Sequence, residues 1–137
     1  QRSLAPTRVE GATIRHSLVS DGCVLGEGAR IENSVIGLRC HIGRNVTIRN
    51  SVIMGADFYE SPEQLAANRA ENWPPIGTGD ESVIENAIVD KNCHIGRGVQ
   101  VIGDPRQIQR ITGENWDLLD GILVIPKNAV LADGWRR

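Results

Sequence analysis

The sequence predicts an all-β solenoid of hexapeptide repeats with two partly helical insertions at its corners, and three observations carry that prediction. Between residues 19 and 53 an aliphatic lead residue returns after six, six and five positions, at Val19, Leu25, Ile31, Ile36, Ile42, Ile48 and Ile53, so one full repeat is 17 residues. A helical stripe would recur at about 3.6 residues and a heptad at about 3.5, whereas short hexads led by Val or Ile, with Gly or a polar residue next, mark stacked β-coils. Only 4% of the 137 residues are aromatic. That suits a prism too thin for large rings.

Neighbouring side chains of an extended strand point to opposite faces. The lead residue and the one two positions before it therefore face inward, which places Cys23, Ala29, Val35, Cys40, Val46 and Ser51 at or near the second inward position. Three such faces make a triangular coil, and coils stacked about 4.8 Å apart bond backbone to backbone. Each five-residue step carries a corner, at Glu32-Asn33-Ser34, Arg49-Asn50-Ser51 and Glu85-Asn86-Ala87. Asparagine tolerates the left-handed backbone that a tight corner needs.

In chain order, residues 1–8 read as a linker, and residues 9–137 as one domain. Residues 9–18 make an imperfect first coil, in which Ile14 holds the place later taken by Ile31 and Ile48. Two regular coils follow. The third is interrupted after Ile53 by an insertion spanning residues 57–75. Within it Ser61 is a suitable N-cap, Pro62 fits the first helical position, EQLAANRAE favours helix, and Trp73-Pro74-Pro75 ends it. The pattern resumes at Thr78, Ile84, Val89, Ile95 and Val101, again at spacings of six, five, six and six, so register survives the insertion. A second excursion, residues 103–121, carries Ile108, Ile111, Trp116, Leu118 and Leu119 and reads as a partly helical cover. The last coil opens at Ile125 and Leu131. Trp135 and the second excursion are placed to shield an end whose backbone groups have no further coil to bond.

A net charge of −2 gives no general attraction to nucleic acid or an anionic membrane. No apolar run approaches the roughly 18 residues of a membrane span, and no signal peptide is visible. Cys23, Cys40 and Cys93 all take the fifth place of a hexad and so lie on one side of the prism. A disulfide or a metal site with His41 and His94 is one reading, but a Cys and the His beside it point apart in a strand and do not reach one ion. Small buried thiols in a reducing compartment fit better. The GTG at 77–79 lacks the following helix and the Lys of a phosphate loop. It reads as a corner.

The runs SVIMGADFYE, PIGTG, AIVDKNCHIGRGVQVI and GILVIPKNAVLADG, in this order and spacing, resemble the C-terminal region of glucose-1-phosphate adenylyltransferase (ADP-glucose pyrophosphorylase) in its plant and cyanobacterial form. The resemblance covers nearly all of the chain after Val9. It implies a left-handed parallel β-helix attached to an enzyme that transfers an adenylyl group from ATP to glucose 1-phosphate for glycogen or starch synthesis, in the cytoplasm or, in a plant, the plastid. Catalysis and Mg²⁺ are then expected in an absent N-terminal nucleotidyltransferase domain. This piece, which opens without Met, is expected to be inactive alone, with no catalytic residue, metal or cofactor of its own.

For the domain in hand the resemblance implies homo- or hetero-oligomer assembly and a share of allosteric control by phosphorylated metabolites or phosphate. The family's two lysines match Lys91 in IVDKN and Lys127 in VIPKN, each two residues after its lead. Lysine supplies both charge and donors to a phosphoester. Arg97 and Arg44 are additional donor candidates. Two stretches depart from the family, DPRQIQRITGENWDLLDG and the terminal WRR, and they leave the effector's identity open. The alternatives are a hexapeptide acyltransferase, with coenzyme A along the coils and an outward base at His41 or His94, and the tail of another sugar-1-phosphate nucleotidyltransferase.

Overall fold

The computed structural model describes residues 4–137, which form short strands in three parallel faces and one helix. The first coil contains β1 (Arg8–Val9), β2 (Thr13–Arg15) and β3 (Leu18–Val19). The second contains β4 (Val24–Leu25), β5 (Arg30–Glu32) and β6 (Val35–Ile36), and the third β7 (His41–Ile42), β8 (Thr47–Arg49) and β9 (Val52–Ile53). After the insertion and its helix α1 (Pro62–Ala70), the fourth coil is β10 (Gly77–Thr78), β11 (Val83–Glu85) and β12 (Ala87–Val89). The fifth is β13 (His94–Ile95), β14 (Gln100–Ile102) and, beyond the second excursion with β15 (Ile111–Thr112) and β16 (Asp117–Leu119), β17 (Ile122–Ile125). A sixth coil opens with β18 (Val130–Leu131).

Sheet A takes β1-β4-β7-β10-β13-β18, sheet B β2-β5-β8-β11-β14, and sheet C runs from β3 through β6, β9, β12 and β17 to β16 and β15. This is a left-handed parallel β-helix. The lead residues stack in three files. Sheet A aligns Val9, Leu25, Ile42, Thr78, Ile95 and Leu131; sheet B aligns Ile14, Ile31, Ile48, Ile84 and Val101; sheet C aligns Val19, Ile36, Ile53, Val89 and Ile125. Register does survive the first insertion, with Thr78 beside Ile42 on one side and Ile95 on the other. The coil starts at Arg8, one residue inside the expected linker, and residues 1–3 of that linker lie outside the described residues.

The second inward position is filled by Cys23, Ala29, Cys40 and Val46, all buried. Val35 is not among them: at the five-residue step Ser34 turns in and Val35 turns out. Shortening the step moves the inward position one residue earlier than the hexad count implies. Buried serine suits this corner because its hydroxyl serves two backbones. Ser34 Oγ donates to Glu32 O at 2.8 Å and accepts from Ser51 N at 3.1 Å, and Ser51 Oγ donates to Arg49 O at 2.7 Å and accepts from Ala87 N at 3.2 Å. Beside the serines, Asn33, Asn50 and Asn86 hold φ of 50, 51 and 52°, and Asn33 Nδ2 donates to Asn50 Oδ1 at 2.8 Å. The left-handed corner is asparagine's, as its place in the repeat predicts.

The second excursion differs from the expected helical cover. It forms two short strands instead, and β16 pairs antiparallel with both β15 and β17, so the hairpin extends sheet C along the edge where a sixth strand of that file would lie. Leu118 is buried on β16, and Trp116 and Trp135 pack against the core from this end. Edge bonding outweighs helix propensity here, because β17 would otherwise leave a row of unpaired backbone groups. The cysteines are free and buried. Burial pushes the Cys93 thiol up to about 11, and a hydrogen bond donated to Cys23, together with burial, raises that of Cys40.

Ile48 sits at the centre of its file, fully buried. Ile48→Ala should lower the free energy of unfolding by about 3 kcal/mol in chemical denaturation, whereas Val52→Ala on the outer face should cost less than about 1 kcal/mol.

Candidate anion-binding site

The first insertion leaves sheet C after β9 and returns to sheet A at β10, so it springs from the corner that joins those two faces. α1 begins as the sequence predicts. Ser61 Oγ accepts from Gln64 N and the Gln64 side chain accepts from Ser61 N, a reciprocal cap with Pro62 at the first turn. The segment is then clamped to the coils by the residues of MGADFYE. Gly55 has φ of 89° and its backbone lies so near Leu38 that a Cβ would strike the Leu38 carbonyl. Tyr59 Oη donates to Gly22 O at 3.1 Å, and Gly22, at φ of 78°, leaves the space that this hydroxyl occupies. Glu60, its side chain nearly buried, accepts from Ile76 N at 2.7 Å and from the Asn68 amide of α1.

The insertion also covers His94. The imidazole Nδ1 donates to Pro74 O at 2.7 Å, the Trp73 ring tilts over it with centroids 5.7 Å apart, and Glu60 lies 4.0 Å away. His94 was expected to present an outward, exposed base; it points outward from the prism but is buried beneath this lid. His41, two coils below, remains exposed.

At the same corner the two family-matched lysines meet. Val89 pairs with Ile125, so Lys91 and Lys127 occupy equivalent places in consecutive coils, and Asn128 N donates to Lys91 O at 3.0 Å. Both ammonium groups approach Asp57, the aspartate of MGAD: Lys91 Nζ lies 3.1 Å from Oδ1 and Lys127 Nζ 3.8 Å from Oδ2. Asn92 holds this carboxylate in place, since Asp57 N donates to Asn92 Oδ1 at 2.9 Å and Asn92 Nδ2 donates to Asp57 Oδ2 at 3.1 Å. The hydrogen bond from Lys91, with support from Asn92 and the charge of Lys127, lowers the Asp57 pKa below its ordinary 3.8. Beside Asp57 opens a hollow of about 680 Å³ that Arg39, Phe58, Tyr59 and Ser61 line together with Leu4 and Ala5.

Arg39 carries a third positive charge to this wall. It stands at φ of 55° where neighbouring coils put Gly22, Asn92 and Asn128, its Nη1 donates to Ala56 O at 3.0 Å, and its guanidinium lies 5.9 Å from the Tyr59 ring centroid. A long side chain at a left-handed position is uncommon. That break in the corner pattern is the sequence signal that marks Arg39, just as the Asp of MGAD marks Asp57; neither residue was among the sequence candidates.

Arg44 and Arg97 lie elsewhere. Each follows a sheet A lead by two residues and so sits at the corner between sheets A and B, where Arg44 N donates to Asp80 Oδ1 at 2.8 Å and Arg97 N to Asp133 Oδ1 at 2.9 Å. Both side chains are exposed, and Arg97 borders a shallow hollow with Arg69 and Trp73. The lysines therefore form one cluster that does not include the two arginines. Among the described residues no group of three or more His, Cys, Asp and Glu is placed to hold a metal ion, and no helix is long and apolar enough to cross a membrane.

Residues 2–135 match the family model described as the GLGC left-handed parallel beta-helix domain.

Because its folded-state pKa is depressed, the Asp57 ion pair should contribute at neutral pH and be lost as acidification carries the solution below the ordinary carboxylate range. Lys91→Gln should bring the Asp57 pKa back toward 3.8 in a carboxyl ¹³C titration; an unchanged value would show that the ammonium does not act on it.

Proposed function

Because the chain belongs to the family of GLGC left-handed parallel beta-helix domains, we propose that it is the assembly and allosteric domain of an ADP-glucose-forming nucleotidyltransferase and that Lys91 and Lys127 receive the phosphoryl group of its effector. The observation that carries this reading is the convergence of the two ammonium groups on one carboxylate from consecutive coils. Nothing in an ordinary solenoid corner calls for two cations side by side, and like charges repel unless an anion stands between them. Asp57 plays that part here, and a phosphoryl group offers the same acceptors with more charge.

Adenylyl transfer from ATP to glucose 1-phosphate, with its Mg²⁺, belongs in this reading to a separate nucleotidyltransferase domain. The effector is a phosphorylated metabolite or inorganic phosphate, and the complete enzyme is a homo- or hetero-oligomer in the cytoplasm, or in the plastid of a plant. The insertion links the anion site to the rest of the molecule. Asp57 belongs to the same short segment as Tyr59 and Glu60, which fasten the insertion to sheet A, so an anion that replaces the Asp57 carboxylate acts on the lid as well. An acyltransferase finds less support, since His94 is covered and His41 has no acidic partner within 4.0 Å among the described residues.

In the complete enzyme, Lys91→Gln and Lys127→Gln should each raise the half-activating concentration of a phosphorylated effector about 10-fold or more while leaving the unactivated rate within about twofold. Full activation retained in the double variant would remove the regulatory assignment.

A further inference from the structure

Among the described residues Asp57 is the acidic side chain that lies within 4.0 Å of both ammonium groups. It is also held there. Asn92 grips its backbone N–H and its carboxylate at once, Gly55 fixes the chain just before it against Leu38, and Tyr59 and Glu60 anchor the chain just after it. A carboxylate fixed in this way presents two oxygens to two lysines, as a bound anion would.

We propose that Asp57 is a built-in counter-ion that competes with phosphate for Lys91 and Lys127 and thereby sets both the strength and the charge selectivity of the site. The inference rests on reading the two lysines as an anion site. Two ammonium groups and one carboxylate leave a net charge of +1, so a singly charged anion gains little by displacing Asp57. A phosphoryl dianion brings a second negative charge and a third acceptor oxygen, and so wins the exchange. Displacement is easy as well as selective, because both ion pairs are roughly half exposed, with side-chain exposures of 43% for Asp57 and Lys91 and 54% for Lys127. Pairs so exposed are weak. The carboxylate therefore acts as a gate on affinity rather than as a lock.

The test is isothermal titration of this chain with inorganic phosphate and, separately, with acetate as a singly charged probe. Asp57→Asn retains an oxygen able to accept from Asn92 and the backbone N–H that Asn92 holds, so it removes charge with little change of shape. It should tighten phosphate binding about 3- to 10-fold and tighten acetate at least as much, so that the preference for phosphate falls. The Lys91→Gln/Lys127→Gln double variant should lose phosphate binding. If that double variant loses binding but Asp57→Asn leaves phosphate affinity and preference unchanged, the counter-ion is overturned and the anion site stands. If the double variant binds phosphate as the parent does, or if neither the parent nor Asp57→Asn binds it, the anion site itself is overturned and the counter-ion with it. A second readout needs no variant: at a pH where phosphate is a dianion, saturating phosphate should shift the Asp57 carboxyl ¹³C resonance toward that of a carboxylate without an ammonium partner, and a resonance unmoved by bound phosphate contradicts displacement.

Discussion

Every coil must return its lead side chain onto the one below it, and the rest of the molecule follows from that constraint. The interior is a few side chains across, so an inward residue has room only in its own file. Backbone groups at each face find partners in the neighbouring coils, as when Gly26 N donates to Ile42 O at 2.8 Å and Gly43 N to Thr78 O at 2.9 Å. A one-residue slip would expose an entire inward set and orphan the ladder together. Residues far apart in sequence therefore become fixed neighbours at the surface. Arg15, Glu32, Arg49 and Glu85 make a chain of ion pairs up the outside of sheet B for this reason, and Lys91 meets Lys127 for the same reason.

The insertion gives depth to the corner between sheets C and A. A bare coil corner is shallow, but residues 54–76 fold over sheet A, cover His94 with Trp73 and Pro74, and bring Asp57 down between the two lysines. Tyr59 and Glu60 spend their polar atoms on backbone groups of the coil beneath and of the returning strand. Asp57 and the contacts that seat the lid consequently belong to one segment, with the carboxylate that both lysines approach only two and three residues from Tyr59 and Glu60.

Much of this was legible in the sequence because the repeat is a direct image of the packing. The three files, the asparagine corners at 33, 50 and 86, the cap and stop of α1, and the unbroken register at Thr78 all follow from spacing and turn chemistry. The errors have physical causes too. Val35 faces out because a five-residue step shifts the inward place to Ser34, whose hydroxyl answers backbone groups that valine would leave unpaired. The second excursion became a hairpin because an open sheet edge decided its structure, which local composition does not report. At the site, the family pattern picked out Lys91 and Lys127 and their shared place after the lead aligned them, whereas Asp57 reaches Lys91 across 34 residues from within an irregular loop. Arg44 and Arg97 share the lysines' place after the lead but stand at another corner, a distinction that depends on which face each lead belongs to.

The meeting of the lysines depends on hydrogen bonds that cross both interruptions of the repeat, and through-hydrogen-bond scalar couplings read those bonds one at a time. Couplings from the Gly43 amide to the Thr78 carbonyl, and from the Asn128 amide to the Lys91 carbonyl, are the predicted result. Coupling of the Gly43 amide to Gly77 or Gly79 instead would mean that the chain re-enters out of register, and would contradict the account.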